Sequence, residues 1–376
     1  MPFRILRIAL VLMCSGLPVM AVDPSWKGKE VILTRSGVKL ELRAGEKIAP
    51  RTAGVARDVT FKVLKDKNDR LLIESNRQRG WIARSDAVLI DEATTHFTEQ
   101  LARHPEDSHA YTARGVVLMS KKEPDKGLAD LNKAIEIDPN ATLAYYYRAN
   151  LAYERKEYDK ALEDYNTVIS NDPEFDWAYH VRGWVYYRRQ DYDKALTDYE
   201  KAIQLVPTES VFYRDRGNIA LIRKQHEQAI ADFSKSIELD PRYPSPLMQR
   251  SRTWIALKQY GKALADYKKA VDIAPKDASS SFYYSGLALF LAGCPEVSCR
   301  NGRKALAAAE KAYQWTKGPN EMAALAAAHA ELGQFDKAIE WQTKASDSAP
   351  AAVKDFYRSR LKQYQDQKPY RFEMAR

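Results

Sequence analysis

Six prolines, Pro105, Pro139, Pro173, Pro207, Pro241 and Pro275, recur every 34 residues without a slip. A fixed period in that range means a stack of similar supersecondary units, none of which can bury its apolar face alone. If each proline is position 32 of a unit, full units start at Ser108, Thr142, Asp176, Ser210 and Pro244. Position 4 reads Tyr111, Tyr145, Tyr179, Tyr213, Leu247, and position 8 reads Gly115, Ala149, Gly183, Gly217, Ser251. Position 20 reads Gly127, Ala161, Ala195, Ala229, Ala263, and position 24 reads Leu131, Tyr165, Tyr199, Phe233, Tyr267. Small residues at 8 and 20 allow two helices, A and B, to approach closely. Large residues at 4 and 24 fill the space between turns, and the proline stops helix B.

This order of large aromatic, small, small, aromatic and proline resembles the tetratricopeptide repeat (TPR) family. The resemblance implies a mainly α fold, a TPR α-solenoid of about seven helical hairpins plus capping helices. It also implies non-catalytic binding of proteins. The units are expected at 108–141, 142–175, 176–209, 210–243 and 244–277. A sixth, 278–318, carries extra residues in its A–B turn around Gly293 to Cys299, has its small position at Gly286, and starts its second helix near Ala305. A seventh spans 319–352, so the array covers 108–352. A capping helix at 92–107 precedes it, and a capping helix with a tail, 353–376, follows, the polar tail from Lys368 being expected to fray.

A second ladder shares the period. Position 7 reads Arg114, Arg148, Arg182, Arg216, Arg250, and position 23 reads Asp130, Asp164, Asp198, Asp232, Asp266. The planar guanidinium suits bidentate pairing with a carboxylate of its own or a neighbouring unit. A row of ligand-binding arginines is the competing reading.

Before the array the character changes. Residues 1–21 combine Arg4 and Arg7 with an apolar run from Ile8 to Met13 and small residues near Ala21, the form of a secretory signal peptide. The expected site is therefore the periplasm or cell envelope, or the exterior. Residues 24–91 alternate short β-rich runs with turns: Glu30–Leu33, Val38–Leu40, Thr60–Val63, Leu71–Ile73, Gly80–Ile82 and Ala87–Ile90. The Gly80-Trp81-Ile82 step before a last apolar strand resembles the ending of bacterial SH3-like domains, which implies a small β-barrel. An exported SH3-like domain ahead of TPR units is similar to a combination seen in planctomycete-type proteins. Residues 24–91 hold 15 Lys and Arg against 9 Asp and Glu, most of the chain's net charge of +9. A basic domain of this kind fits a cell wall or another anionic polymer.

Chemistry-bearing residues are sparse. Cys294 and Cys299 lie in the inserted turn and form either a disulfide or two thiols. The histidines are scattered, and no HExxH pair, phosphate loop or nucleophile elbow occurs. The expectations are no enzyme, no cofactor, no metal and no nucleic acid. A hydrolase centred on the insertion is a remote alternative.

The resemblance places the ligand groove at positions 2, 5, 9 and 12 of helix A, which helical spacing puts on one face. These positions give Tyr146, Asn150, Tyr153, Trp177, His180, Trp184 and Tyr187, then Arg214, Asn218 and Arg252. An extended peptide or partner segment could stack on the aromatics and pair a carboxylate with Arg214 or Arg252. In the alternative, the aromatics pack on one another. Asn218 and Arg214 partly match the two-carboxylate clamp of chaperone-binding TPR domains, while Val211 and Asp215 depart from it. The resulting expectation is an adaptor or scaffold. An envelope organiser that recruits an enzyme, and a self-associating scaffold, are the other readings.

Overall fold

The structure is a computed structural model, and it describes residues 27–34, 60–75 and 78–372. The expected signal peptide and the run Val38–Leu40 lie outside them. The chain divides into two compact units, 1–178 and 179–376.

The first unit opens with β1 (Glu30–Leu33), β2 (Thr60–Lys67), β3 (Arg70–Ser75), β4 (Gln78–Ala83) and β5 (Ala87–Leu89). They form an antiparallel sheet in the order β4-β3-β2-β1-β5. Asn68 and Asp69, both at positive φ, make the two-residue turn between β2 and β3 that such backbone twist requires. Alternation along the strands builds two apolar faces. Val31, Leu33, Phe61, Val63, Leu71, Ile73 and Ile82 form one core. Ile32 and Val88, on the reverse face, join Ala93, Phe97 and Leu101 of α1 (Ile90–Arg103) and Ala110, Ala113 and Val117 of α2 (Ser108–Ser120). His109 Nε2–H donates to the Leu33 carbonyl over 3.1 Å, and burial pushes its imidazole pKa down. Sheet and helices therefore share a core, with α1 following β5 directly.

The hairpins continue as α3 (Pro124–Ile137), α4 (Thr142–Glu154), α5 (Tyr158–Asn171) and α6 (Asp176–Arg188). They run on through α7 (Tyr192–Leu205), α8 (Ser210–Ile222), α9 (His226–Leu239), α10 (Pro244–Ala256) and α11 (Tyr260–Ile273). The last are α12 (Ser281–Gly293), α13 (Gly302–Trp315), α14 (Pro319–Glu331), α15 (Phe335–Ser348) and α16 (Ala351–Gln365). The fold is mainly α, a solenoid of helical hairpins.

The small positions act as the pattern requires. A Cβ on Gly127 would sit 2.6 Å from the Gly115 carbonyl oxygen, so α2 and α3 cross with no room for a side chain. A Cβ on Gly217 would meet the Phe233 ring at 2.8 Å. In the first five hairpins helix A ends on a left-handed residue, Lys122, Lys156, Gln190, Lys224 or Lys258. In the seventh hairpin Gly333 holds that place, the residue that adopts this conformation most readily.

The Arg–Asp ladder pairs within each hairpin. Arg114 spans Asp130 at 2.7 and 2.8 Å, Arg148 spans Asp164 at 2.8 and 2.7 Å, and Arg216 spans Asp232 at 2.9 and 2.7 Å. Arg182–Asp198 and Arg250–Asp266 repeat this geometry. Arg148 also donates to Asn132 and Arg250 to Ser234, each at 2.8 Å, residues on helix B of the hairpin before. At these two places one guanidinium thus ties three helices.

The sixth hairpin departs from expectation in detail. Its second helix starts at Gly302, where Asn301 caps it by accepting from the Lys304 amide. Gly286 faces Met248 and Tyr267 of the preceding hairpin, because α12 starts later than the 34-residue register and turns a different side inward. The tail does not fray up to Phe372: Tyr370 and Phe372 pack into the apolar cluster around α12. Two aromatic rings within three residues bury enough apolar surface to order an otherwise polar segment.

Candidate functional site

Helix-A residues of each unit carry the expected groove positions, and the structure sorts them into anchors and filling. In the first unit Tyr146 is buried, stacked on Phe175 with centroids 5.0 Å apart and edge-on to Tyr147 and Tyr165. Asn150 accepts from the Tyr165 hydroxyl over 2.6 Å. Burial raises the Tyr165 pKa well above that of a free phenol, so the hydroxyl remains a donor. Tyr153 is half-buried beside Tyr158, and Trp177 is half-buried near the unit's end. In this unit Tyr146 and Asn150 serve the interior, and Tyr153 and Trp177 keep partly open faces.

The second unit holds a cluster that the pattern did not predict. Its centre is Asp215 of α8, whose side chain is 3% exposed. The carboxylate accepts from His180 Nε2 at 2.8 Å and Trp184 Nε1 at 2.7 Å, both on α6. Arg214 donates Nε and a terminal nitrogen to it over 2.7 and 2.8 Å, and Asn218 approaches at 3.4 Å. Burial alone would raise the Asp215 pKa. The His180 hydrogen bond and the Arg214 charge outweigh it and bring the pKa down to about 2. Four expected groove residues, His180, Trp184, Arg214 and Asn218, therefore converge on one carboxylate.

That convergence changes their roles. Arg214 was expected to meet a ligand carboxylate. Its guanidinium is instead neutralised by Asp215, and its outer side lies over the Tyr243 ring at 5.3 Å. His180 is buried. Trp184 and Tyr187 remain half-buried, 6.3 Å apart, with Tyr187 edge-on to Tyr192. Arg252 of α10 is exposed, bonds Gln249 over 3.2 Å, and lies 5.7 Å from the ring of Phe282, itself 49% exposed. It makes no ion pair among the described residues.

Asp215 left a signal in the sequence. Its repeat position reads Ala113, Tyr147, Val181, Asp215, Gln249, so one acid interrupts a set of uncharged residues. Without a partner in view, that acid reads as a defect in a clamp rather than as a hub.

In the insertion, Cys294 and Cys299 are both buried thiols. Burial pushes the Cys294 thiol up to about 11, which keeps it protonated at neutral pH. No group of His, Cys, Asp and Glu that could hold a metal occurs among the described residues. No helix among them is long and apolar enough to cross a membrane.

Family models of the tetratricopeptide repeat match residues 89–142, 142–175, 177–209, 213–243, 246–277 and 322–351. Among solved structures the chain is similar to yeast Tom70, with a TM-score of 0.53 and 21% identity over 74% of this chain and 59% of that one. It is also similar to the APC/C hetero-tetramer Cut9–Hcn1, with a TM-score of 0.53 and 15% identity over 64% of this chain and 46% of that one. At these identities the likeness is one of fold. No curated protein matches the chain.

Proposed function

Because the chain belongs to the tetratricopeptide-repeat family, we propose that it is a non-catalytic adaptor that binds an extended peptide or partner segment along its helix-A faces. The observation that carries this reading is Arg252, an exposed guanidinium with no acidic partner among the described residues, next to the exposed ring of Phe282. The arginines of the ladder and Arg214 are each matched to an aspartate. Arg252 with Phe282 therefore reads as an anchor for an anionic group that arrives from outside. Trp184 and Tyr187 supply aromatic surface in the same unit. The Asp215 cluster holds Trp184 in one orientation, which lowers the entropy lost on binding.

The test is capture of partners by the full chain and by a Tyr187→Ala/Arg252→Ala variant. Neither residue bonds to Asp215, but Tyr187 packs on Trp184 and Tyr192, so the variant is expected to lose about 1–3 kcal/mol, and a cooperative melt is the check that it remains folded. Loss of the captured set supports recognition by this face. Recovery of the same set moves recognition elsewhere.

A second reading, the envelope organiser, draws on the first unit. A five-stranded antiparallel sheet fits an SH3-like barrel. The side chains of Lys62, Lys65 and Lys67 on β2 are exposed. Together with the leader-like first 21 residues, they fit an exported protein whose basic domain rests on wall polymers while the helices recruit an envelope enzyme.

A further inference from the structure

The chain reverses after α16. Gln367, at φ 55°, makes the turn, and Pro369 to Phe372 run back across the ends of α14 and α12. Three consecutive residues each find a built receptor there. The Tyr370 ring lies against Gly293, where a Cβ would come within 2.5 Å of it, and its other side meets the Arg360 guanidinium 4.0 Å from the ring centroid. Arg371 donates to the Ala292 carbonyl over 2.9 Å and lies 2.7 Å from Glu331. The Phe372 ring sits 5.8 Å from Phe290 and 6.2 Å from Tyr260, while its amide donates to the Gly293 carbonyl over 3.1 Å.

Ala292 and Gly293 close α12 and carry two of the carbonyls that a helix end leaves without intrahelical partners. Arg371 and Phe372 satisfy both, and the arginine also meets the negative end of the helix dipole. The receptor depends on the insertion of the sixth hairpin. Arg300, within it, binds Glu331 over 3.1 Å and the carbonyls of Cys294 and Pro295 at 3.0 Å, so the acid is held ready for Arg371.

We propose that the surface formed by Tyr260, Phe290, Gly293, Glu331 and Arg360 is a peptide-recognition site, separate from the helix-A face. It reads an aromatic–arginine–aromatic segment, and this chain's own Tyr370-Arg371-Phe372 occupies it in cis. One main-chain bond, from the Phe372 amide to the Gly293 carbonyl, sets the register of the segment, two ring contacts and one acid read its side chains, and the insertion distinguishes this hairpin from the others. The tail is then a detachable latch over a site that the same sequence can fill from another molecule.

The experiment uses the full chain with Tyr370→Ala/Phe372→Ala, which empties the site, and a fluorescently labelled peptide of residues 366–376. Anisotropy is expected to show binding to this variant and none to the parent, whose site is filled. An Arg371→Ala peptide is expected to bind about tenfold more weakly or worse, since it loses a charge-assisted contact. Gly293→Val, added to the tail variant, is expected to abolish binding by filling the Tyr370 seat. Equal binding to parent and tail variant, or no binding to a tail variant whose melting remains cooperative, overturns the proposal. Amide exchange supplies a second measurement in the unaltered chain. Protection of the Phe372 amide that is lost in Gly293→Val supports docking there, and a fast-exchanging Phe372 amide in the parent overturns it. Protection that appears only at concentrations where the chain dimerises overturns the occupancy in cis, because the tail would then be exchanged between copies.

Discussion

Asp215→Ala is expected to lower folding stability by about 3–5 kcal/mol, the cost of removing one partner from a buried charged cluster. The substitution leaves the Arg214 guanidinium facing a void, and it removes the acceptor of the Trp184 indole N–H and of His180 Nε2. Asp215→Asn keeps the volume and separates charge from shape. Its expected signature is in the pH dependence. The Asp215 pKa falls from an ordinary 3.8 to about 2 in the fold, so the folded state favours the ionised form. The resulting stabilisation, about 2 kcal/mol, is fully present above pH 3.8 and is lost as pH falls through about 2. Thermal melts of parent and Asp215→Asn between pH 2 and 6 are therefore expected to converge at the acid end. Melting curves that keep a constant offset across that range would count against the ionised carboxylate as the stabilising species.

The second large effect lies in the ladder. Arg216→Ala is expected to cost about 3 kcal/mol, because it leaves the Asp232 carboxyl, its side chain 3% exposed, without its partner. Asp232→Ala strands the half-buried arginine and is expected to cost a similar amount. The double change removes both charges together and is expected to cost about 2 kcal/mol less than the sum of the singles. Denaturant melts of the four proteins measure the coupling. Additive losses would mean that the pair is surface decoration. The position of Arg216 over the Tyr213 ring at 5.6 Å adds a contact that both arginine-lacking variants lose equally, so it cancels in the cycle.

Much of the helical architecture was legible in the chain because it depends on local rules repeated many times. Prolines at a fixed spacing stop each helix B, small residues mark helix crossings, and arginine and aspartate share one period. Each signal is weak alone and strong when it recurs in register, which is why the repeating helical hairpin follows from sequence. The pairing of Arg114 with Asp130 rather than with a neighbour's aspartate needed the structure, since both readings share the period. So did Gly286, which faces the preceding hairpin because α12 begins out of register.

The candidate site was legible only as a face. Spacing placed Trp184, Arg214 and Asn218 on one side of their helices, and it was silent on what they touch. Asp215 decides that, and it decides against Arg214 as a free cation by holding it at 2.7 Å. The docked tail was equally invisible, because the residues it meets, Gly293, Glu331 and Tyr260, lie in three different hairpins. Sequence by itself determined the repeating unit and its helices, since these rest on contacts between residues near one another in the chain. Tertiary structure alone decided which charges are neutralised, which rings remain open and where the tail lies. Those outcomes depend on contacts between residues whose separation in sequence carries no periodic mark.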